Sequence, residues 1–287
     1  MKRLLFIFIA SVVLAQSTMM SPPLGTQIDW SNSLTKGLVG FWPMDESPGK
    51  LGTVYDLSGN GNHGTLVADC HAVPGRTGPC LDFDGNGDLV TTSYKPSSSF
   101  TASAWAKTTS SGNLEILCGW NGSDRISIEI NGGNQVYLTT TNAYYERFDS
   151  LTISDGIWHH YIYTWNGSNI VFYFDGNKEV NDASGNPSDI NVQATYIGAR
   201  TLAVSDRHFH GQIDDVMIYD RALTASEIQQ LYSDQNQIFV QEPLVVSSAE
   251  APADGGQIIM IMTSCLPLVV ILLLLGSFMM CDDRKVR

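Results

Sequence analysis

The sequence predicts an all-β protein, an antiparallel two-sheet sandwich, with one C-terminal transmembrane helix added to it. Three features carry the sandwich. Short runs rich in β-branched and aromatic residues recur through the middle of the chain: Leu38–Trp42, Cys80–Phe83, Asp88–Thr92, Thr101–Lys107, Arg125–Ile130, Gln135–Thr140, Trp158–Trp165 and Ile170–Asp175. Asn-Gly and Asp-Gly dipeptides at 60–61, 84–85, 86–87, 121–122, 131–132, 155–156, 166–167 and 175–176 punctuate them as hairpin turns. Within Arg125-Ile-Ser-Ile-Glu-Ile130 the isoleucines fall on one face and the polar residues on the other, the period of a strand. Roughly a dozen strands at this spacing favour stacked antiparallel sheets over an α/β fold.

The elements follow in order along the chain. Residues 1–17 read as a secretory signal peptide: Lys2 and Arg3 precede an apolar stretch, and Ala15 offers a small residue at the cleavage point. Residues 34–233 form one folded domain without internal repeats. Its single helix, Ala225–Tyr232, starts at a capping box in which Thr224 is the N-cap and Glu227 stands three residues on. Residues 234–257, with Pro243, Pro252, Gly255 and Gly256, read as a stalk. Residues 258–280 carry no charge, and a helix of that length spans about 34 Å, enough for a ~30 Å hydrocarbon core. Arg284, Lys285 and Arg287 place the tail, 281–287, on the cytoplasmic side by the positive-inside rule. The expected protein is single-pass and type I, with its domain outside a cell, virion or organelle membrane.

Charge is distributed along these lines. The chain has 16 basic and 29 acidic residues; without the two ends, 11 and 27 remain, a net of −16. Such a domain excludes nucleic acid as a partner, because phosphate binding needs a basic surface. It disfavours anionic surfaces in general and is compatible with bound calcium.

The order of segments resembles the laminin-G-like, concanavalin A-like jelly-roll domains of extracellular proteins. The resemblance rests on Gly37-Leu-Val-Gly-Phe-Trp-Pro-Met-Asp-Glu46, Asp56-Leu-Ser-Gly-Asn-Gly-Asn-His-Gly-Thr65, Leu81-Asp-Phe-Asp-Gly-Asn-Gly-Asp-Leu-Val90, Phe100–Lys107, Asp155–His160, Tyr173-Phe-Asp-Gly176 and Phe209–Tyr219, running into Arg221–Ile228. It implies two curved antiparallel sheets and leaves function open, since lectins, adhesion modules and hydrolases share that architecture. Trp42, Trp105 and Trp158 read as core fillers, with Ala104 and Ala106 alternating small beside large.

Four kinds of site are expected. Asp56, Asn60 and Asn62 on a Gly-rich loop, with Asp215, form a candidate structural calcium site, and Asp45 is a spare ligand; Asp214-Asp215 resembles a calcium-ligating position of related β-glucanases. The same loop residues also suit plain turn formation. Trp120, Asn142, Tyr144 and Tyr145 are the candidate glycan-contact residues, although ordinary sheet aromatics give the same pattern. Cys70 and Cys80 bracket a short loop and are expected to pair as a disulfide, leaving Cys118 a buried thiol. Asn121 and Asn166 open glycosylation sequons that double as hairpin turns.

Catalysis is not expected. The Glu-x-Asp-x-x-Glu spacing of retaining glycosidases of this fold is absent, as are a Gly-x-Ser-x-Gly elbow and a His-Glu-x-x-His zinc motif. His159-His160 and the pair His208 and His210 lack a third ligand in sequence and read as packing residues. The expected function is a surface-displayed, non-catalytic carbohydrate-binding or adhesion module whose partner is a glycan or surface glycoprotein. A structural envelope or virion coat protein is the alternative, and a degenerate glycosidase a further one.

Overall fold

The structure is a computed structural model and describes residues 28–45, 52–96, 99–120, 125–131, 135–140, 144–148, 151–179, 192–202 and 207–233. The expected signal peptide, stalk, transmembrane helix and tail, together with Asn121 and Asn142, lie outside the described residues. All described residues belong to the unit Met1–Val240. Among them, no helix is long and apolar enough to cross a membrane.

In chain order the strands are β1 (Leu38–Trp42), β2 (Thr53–Val54), β3 (Gly64–Val67), β4 (His71–Pro74), β5 (Pro79–Asp84), β6 (Leu89–Thr92), β7 (Phe100–Lys107) and β8 (Leu114–Trp120). They continue with β9 (Arg125–Asn131), β10 (Gln135–Thr140), β11 (Tyr144–Phe148), β12 (His159–Trp165), β13 (Ile170–Phe174), β14 (Asn177–Lys178), β15 (Ala194–Ile197) and β16 (His210–Tyr219). Sheet I has the order β14-β13-β12-β7-β16-β5-β4, with β1 also paired to β16; sheet II has the order β11-β10-β9-β8-β15-β6-β3-β2. The pairings are antiparallel, so the expected two-sheet sandwich is the observed fold, with strand crossovers of a jelly-roll kind.

The main core lies between the sheets and follows strand alternation. Phe100, Ala102, Ala104 and Ala106 of β7 meet Ile126, Ile128 and Ile130 of β9, with Trp42, Phe83, Tyr163 and Phe209 filling the rest. A second apolar cluster seals the outer face of sheet I: Leu38, Phe41, Ile162, Met217 and Tyr219 pack under Leu223, Ile228 and Leu231. The last two belong to α1 (Ala225–Ser233). The capping box forms as expected, Glu227 Oε2 accepting from Thr224 N at 2.8 Å, and Arg221 clamps Glu227 with bonds of 3.0 and 2.7 Å. Ile28 joins this cluster, so the folded part begins ahead of the expected residue 34.

Two expectations about packing are corrected. Trp105 points outward from β7, where it stacks on His160 with ring centroids 4.6 Å apart and lies beneath the Arg76 guanidinium; the flanking alanines are the residues that face the other sheet. Trp158 is half-buried and lies just before β12. Only Trp42 of the three is an inter-sheet filler.

The Cys70–Cys80 disulfide is not formed: both are buried free thiols, as is Cys118. The β4–β5 register sets Val73 opposite Cys80. Cys70 points into the inter-sheet core, whereas Cys80 alternates with the core residues Leu81 and Phe83 and neighbours Asp214 on the outer side of sheet I. Thiols on opposite faces of a sheet do not reach disulfide geometry.

One glycine controls the chain's exit from sheet II. Gly198 follows β15 with φ +80°, its N–H bonds to Ile116 O at 3.0 Å, and its carbonyl accepts from Phe209 N at 2.7 Å. A Cβ there would lie 2.3 Å from the Phe83 ring, which is locked in the core. Gly198→Ala is expected to destabilise the domain by about 2–4 kcal/mol, from left-handed strain plus steric overlap. A urea titration checks this: the midpoint drops while the slope stays unchanged.

Candidate functional site

The outer face of sheet II differs from that of sheet I, because no helix seals it among the described residues. Register lays out its residues in rows. One row holds Thr65, Thr91, Tyr196, Cys118, Ser127, Thr139 and the register position of Tyr145. A second pairs Glu115 with Glu129 and Glu129 with Tyr137; a third pairs Trp120 with Arg125. The polar half of the Arg125–Ile130 alternation therefore shares this face with the aromatic residues Trp120, Tyr137 and Tyr196.

Glu115 and Trp120 are five residues apart, and an uninterrupted strand would send them to opposite faces. A β-bulge between Glu115 and Leu117 in the β8–β9 ladder shifts the phase by one residue. Ile116 and Leu117 both enter the core, and Glu115 and Trp120 both face outward. Ile116 O, displaced from the ladder, accepts the Gly198 N–H, and Glu115 N donates to Arg207 O at 3.3 Å. Gly198 and Arg207 are thereby both tied to β8 around the bulge, and two arginines, Arg200 and Arg207, reach this face.

Arg207 Nη1 makes a short charge-assisted bond to Glu129 Oε1 and lies 3.7 Å from Glu115 Oε1. Arg125 Nη1 lies 3.7 Å from both Glu115 Oε1 and Glu129 Oε2, while its Nη2 donates to Thr139 Oγ1 at 2.9 Å. The Arg200 guanidinium sits over the Trp120 ring, 4.7 Å from the centroid. Glu115 is fully buried and its oxygens make no hydrogen bond. Burial, and then the charge of Glu129 beside it, push its carboxyl up to about 8 despite the pull of Arg125, Arg207 and Arg200. Burial and the two neighbouring guanidiniums pull Arg200 below its usual value.

Chemically, the site is an arginine-lined, aromatic-edged platform with donors in excess of acceptors. Of the expected glycan residues, Trp120 belongs to it, and Tyr145 and Tyr144 take register positions opposite Thr139 and Thr140. Asn142 lies outside the described residues. Sequence reading missed Glu115, Arg125, Arg200 and Arg207. The one available signal was the buried-looking alternation around Ser127 and Glu129, which marks a polar strand face as enclosed.

The residues of the expected calcium set each have protein partners. Asp56 Oδ1 accepts from Phe41 N and Ser58 N, and Oδ2 accepts from Asn62 N, each at 2.9 Å. The Asn60 and Asn62 amides donate to Leu38 O and Val39 O. A carboxylate ringed by N–H donors braces the loop against β1, which is the turn-forming role, and does not suit a cation. Asp215 sits in a bulge of β16 with φ +47° and pairs with Arg76 at 3.4 Å. Among the described residues one carboxylate trio lies close together, Asp69, Asp84 and Asp88, within 4.8 Å. There the buried Asp88 accepts from Asp69 N and Asp84 N at 3.1 and 2.8 Å and closes the turn. Asn166 occupies an exposed turn, its Oδ1 accepting from Ser168 N and Asn169 N.

A jelly roll with one sealed and one polar outer face defines the class: a two-sheet sandwich of lectin and glucanase type. The family model described as the concanavalin A-like lectin/glucanases superfamily, laminin-G type, matches residues 84–229, and the chain belongs to that family. No curated protein matches the sequence. Among solved structures, domain 4 of AbnA, an extracellular arabinanase of family GH43 from Geobacillus stearothermophilus in complex with arabinotriose, is similar at 19% identity and TM-score 0.55, over 68% of this chain and 98% of that one. The binding domain of Paraclostridial Mosquitocidal Protein 1 is similar at 20% identity and TM-score 0.55, over 69% of this chain and 52% of that one. A Trypanosoma rangeli sialidase mutant displaying trans-sialidase activity is similar at 19% identity and TM-score 0.57, over 71% of this chain. The match spans 34% of the sialidase. These likenesses establish the fold.

Glu115 yields a test of the cluster. A carboxyl raised in the folded state binds a proton that the unfolded chain has already lost, so stability falls as pH rises from the ordinary carboxylate range through about 8. The groups facing it are Glu129, Arg125, Arg207, Arg200 and Cys118. Glu115→Gln, which stays neutral, is expected to flatten this decline, raising the melting temperature above that of the parent by several degrees at pH 8.5 relative to pH 5. Parallel thermal-melting curves for parent and variant would refute the assignment.

Proposed function

We propose that the chain is a non-catalytic glycan-recognition protein, displayed outside a membrane by the helix expected at 258–280, with the outer face of sheet II as its binding surface. The observation that carries the reading is the set of half-buried side chains Trp120, Arg125 and Tyr137, which lie in the rows on either side of Ser127 and Thr139 on the sheet face that α1 leaves bare. Sugars are recognised by aromatic faces together with a few converging polar groups, and this set supplies both. The arabinanase domain, matched over 98% of its length, was solved in complex with arabinotriose, which supports a sugar as ligand class.

The absence of catalysis is part of the proposal. A glycosidase needs two carboxylates that flank a bond of the substrate. Here the facing pair, Glu115 and Glu129, is buried and engaged by Arg125 and Arg207. Purified full-length chain on a glycan array is expected to bind a restricted set of glycans without hydrolysing them. Trp120→Ala should weaken that binding about tenfold or more, equivalent to ~1.4 kcal/mol. Silence across the array, or binding indifferent to Trp120→Ala, refutes the reading; sugar release from a bound polysaccharide refutes its non-catalytic part.

A further inference from the structure

Resting on that reading, we propose that the ligand is an acidic glycan, and that Arg200, with Arg125 beside it, binds a carboxylate carried by the sugar. The sequence between residues 28 and 233 holds six arginines, and three of them, Arg125, Arg200 and Arg207, converge on this one face of a domain that is otherwise strongly acidic. Arg207 is neutralised by Glu129 and Arg125 is shared weakly between two glutamates. Arg200 has neither an ion pair nor a hydrogen bond among the described residues, and its Nε is buried without an acceptor.

An arginine in that state is costly, since a buried donor left unpaired destabilises the fold and two like charges stand nearby. Arg200 is nonetheless held in place by the Trp120 ring. A guanidinium lying on an aromatic face keeps its N–H edges in its own plane, where they fork onto a planar oxyanion. Arg125 Nη1 has no hydrogen-bond acceptor either, and Ser127 Oγ, two residues along the same face of β9, is buried without a partner. With Glu115 protonated, the described ionic groups of the cluster are three guanidiniums against the single carboxylate of Glu129. The local balance is therefore positive, opposite to that of the domain. A carboxylate presents two coplanar oxygens, and the fork can donate to both.

The test is a titration of the full-length chain with matched probes: oligogalacturonate and its methyl ester, sialyllactose and lactose, and sulfated lactose. The carboxylated probes are expected to bind at least tenfold more tightly than the esterified and neutral ones. Arg200→Gln should abolish that preference with no loss of melting temperature, and Arg200→Lys should restore only part of it, since it keeps the charge without the fork. Equal affinity for acidic and neutral sugars, a preference surviving Arg200→Gln, or tighter binding of the sulfated probe overturns the inference. Neutral sugars bound through Trp120 would leave the glycan reading standing while this inference fails. Binding of no sugar at all would defeat both.

Discussion

The extra residue in β8 is the constraint on which the polar face depends. Ile116 bulges out of the ladder, and every outward-facing residue of β8 beyond it changes sides. Remove the bulge, and either Glu115 or Trp120 must point into the core. The bulge is held in turn by its released carbonyl, which takes the Gly198 N–H. Gly198 turns the chain with a positive φ that no other residue adopts cheaply, and it has no room for a side chain against Phe83. Strand register, chain exit and the delivery of Arg200 and Arg207 are thus one coupled arrangement.

The two outer faces show how one sandwich treats its two surfaces differently. On sheet I, alternation places apolar side chains outward, and α1 with the N-terminal residues covers them, so that face is part of the stability of the fold. On sheet II the outward positions are Ser, Thr, Cys, Glu, Arg and aromatic residues, and Arg200 and Arg207 meet them through a cation–π contact and ion pairs rather than apolar packing. Buried ion pairs of this kind contribute little net stability, because desolvation offsets their attraction. Their persistence in the interior of a face is better explained by what they hold in position than by what they add to folding.

Much of the fold was legible from spacing alone. The dipeptides at 166–167 and 175–176, the period-2 runs and the capping box at Thr224 correspond to an observed hairpin turn, strand or helix start, because each is decided by local sterics and hydrogen bonding. The site was legible only at Trp120 and, through register, around the tyrosines of β11. Arg125, Arg200 and Arg207 are distant in sequence and meet only through a bulge and a crossing segment, neither of which a period of two encodes. A hint existed in Ile116-Leu117, two adjacent apolar residues within an alternating strand, which is what a bulge facing a core requires. The expected Cys70–Cys80 disulfide fails for the same reason: separation along the chain does not say which face of β5 Cys80 takes. Trp105 was misplaced because size suggested interior, whereas alternation assigned the interior to Ala104 and Ala106.

Net charge has the opposite weakness, since it averages over positions that chemistry keeps apart. An acidic domain argues against binding a large anionic surface, and that argument holds at distances where the whole domain is felt. It does not extend to a partly buried cluster, where the nearest few groups set the potential and solvent screens little. Protonation of Glu115 widens the gap, because it withdraws a negative charge from the place where Arg125, Arg200 and Arg207 gather. On the proposed reading, a sugar carboxylate seated on the platform is in contact with guanidiniums, while the acidic exterior acts on it from farther away and through screening solvent. The net charge of the domain and the sign of the group it would bind are therefore set at different distances, and the first does not fix the second.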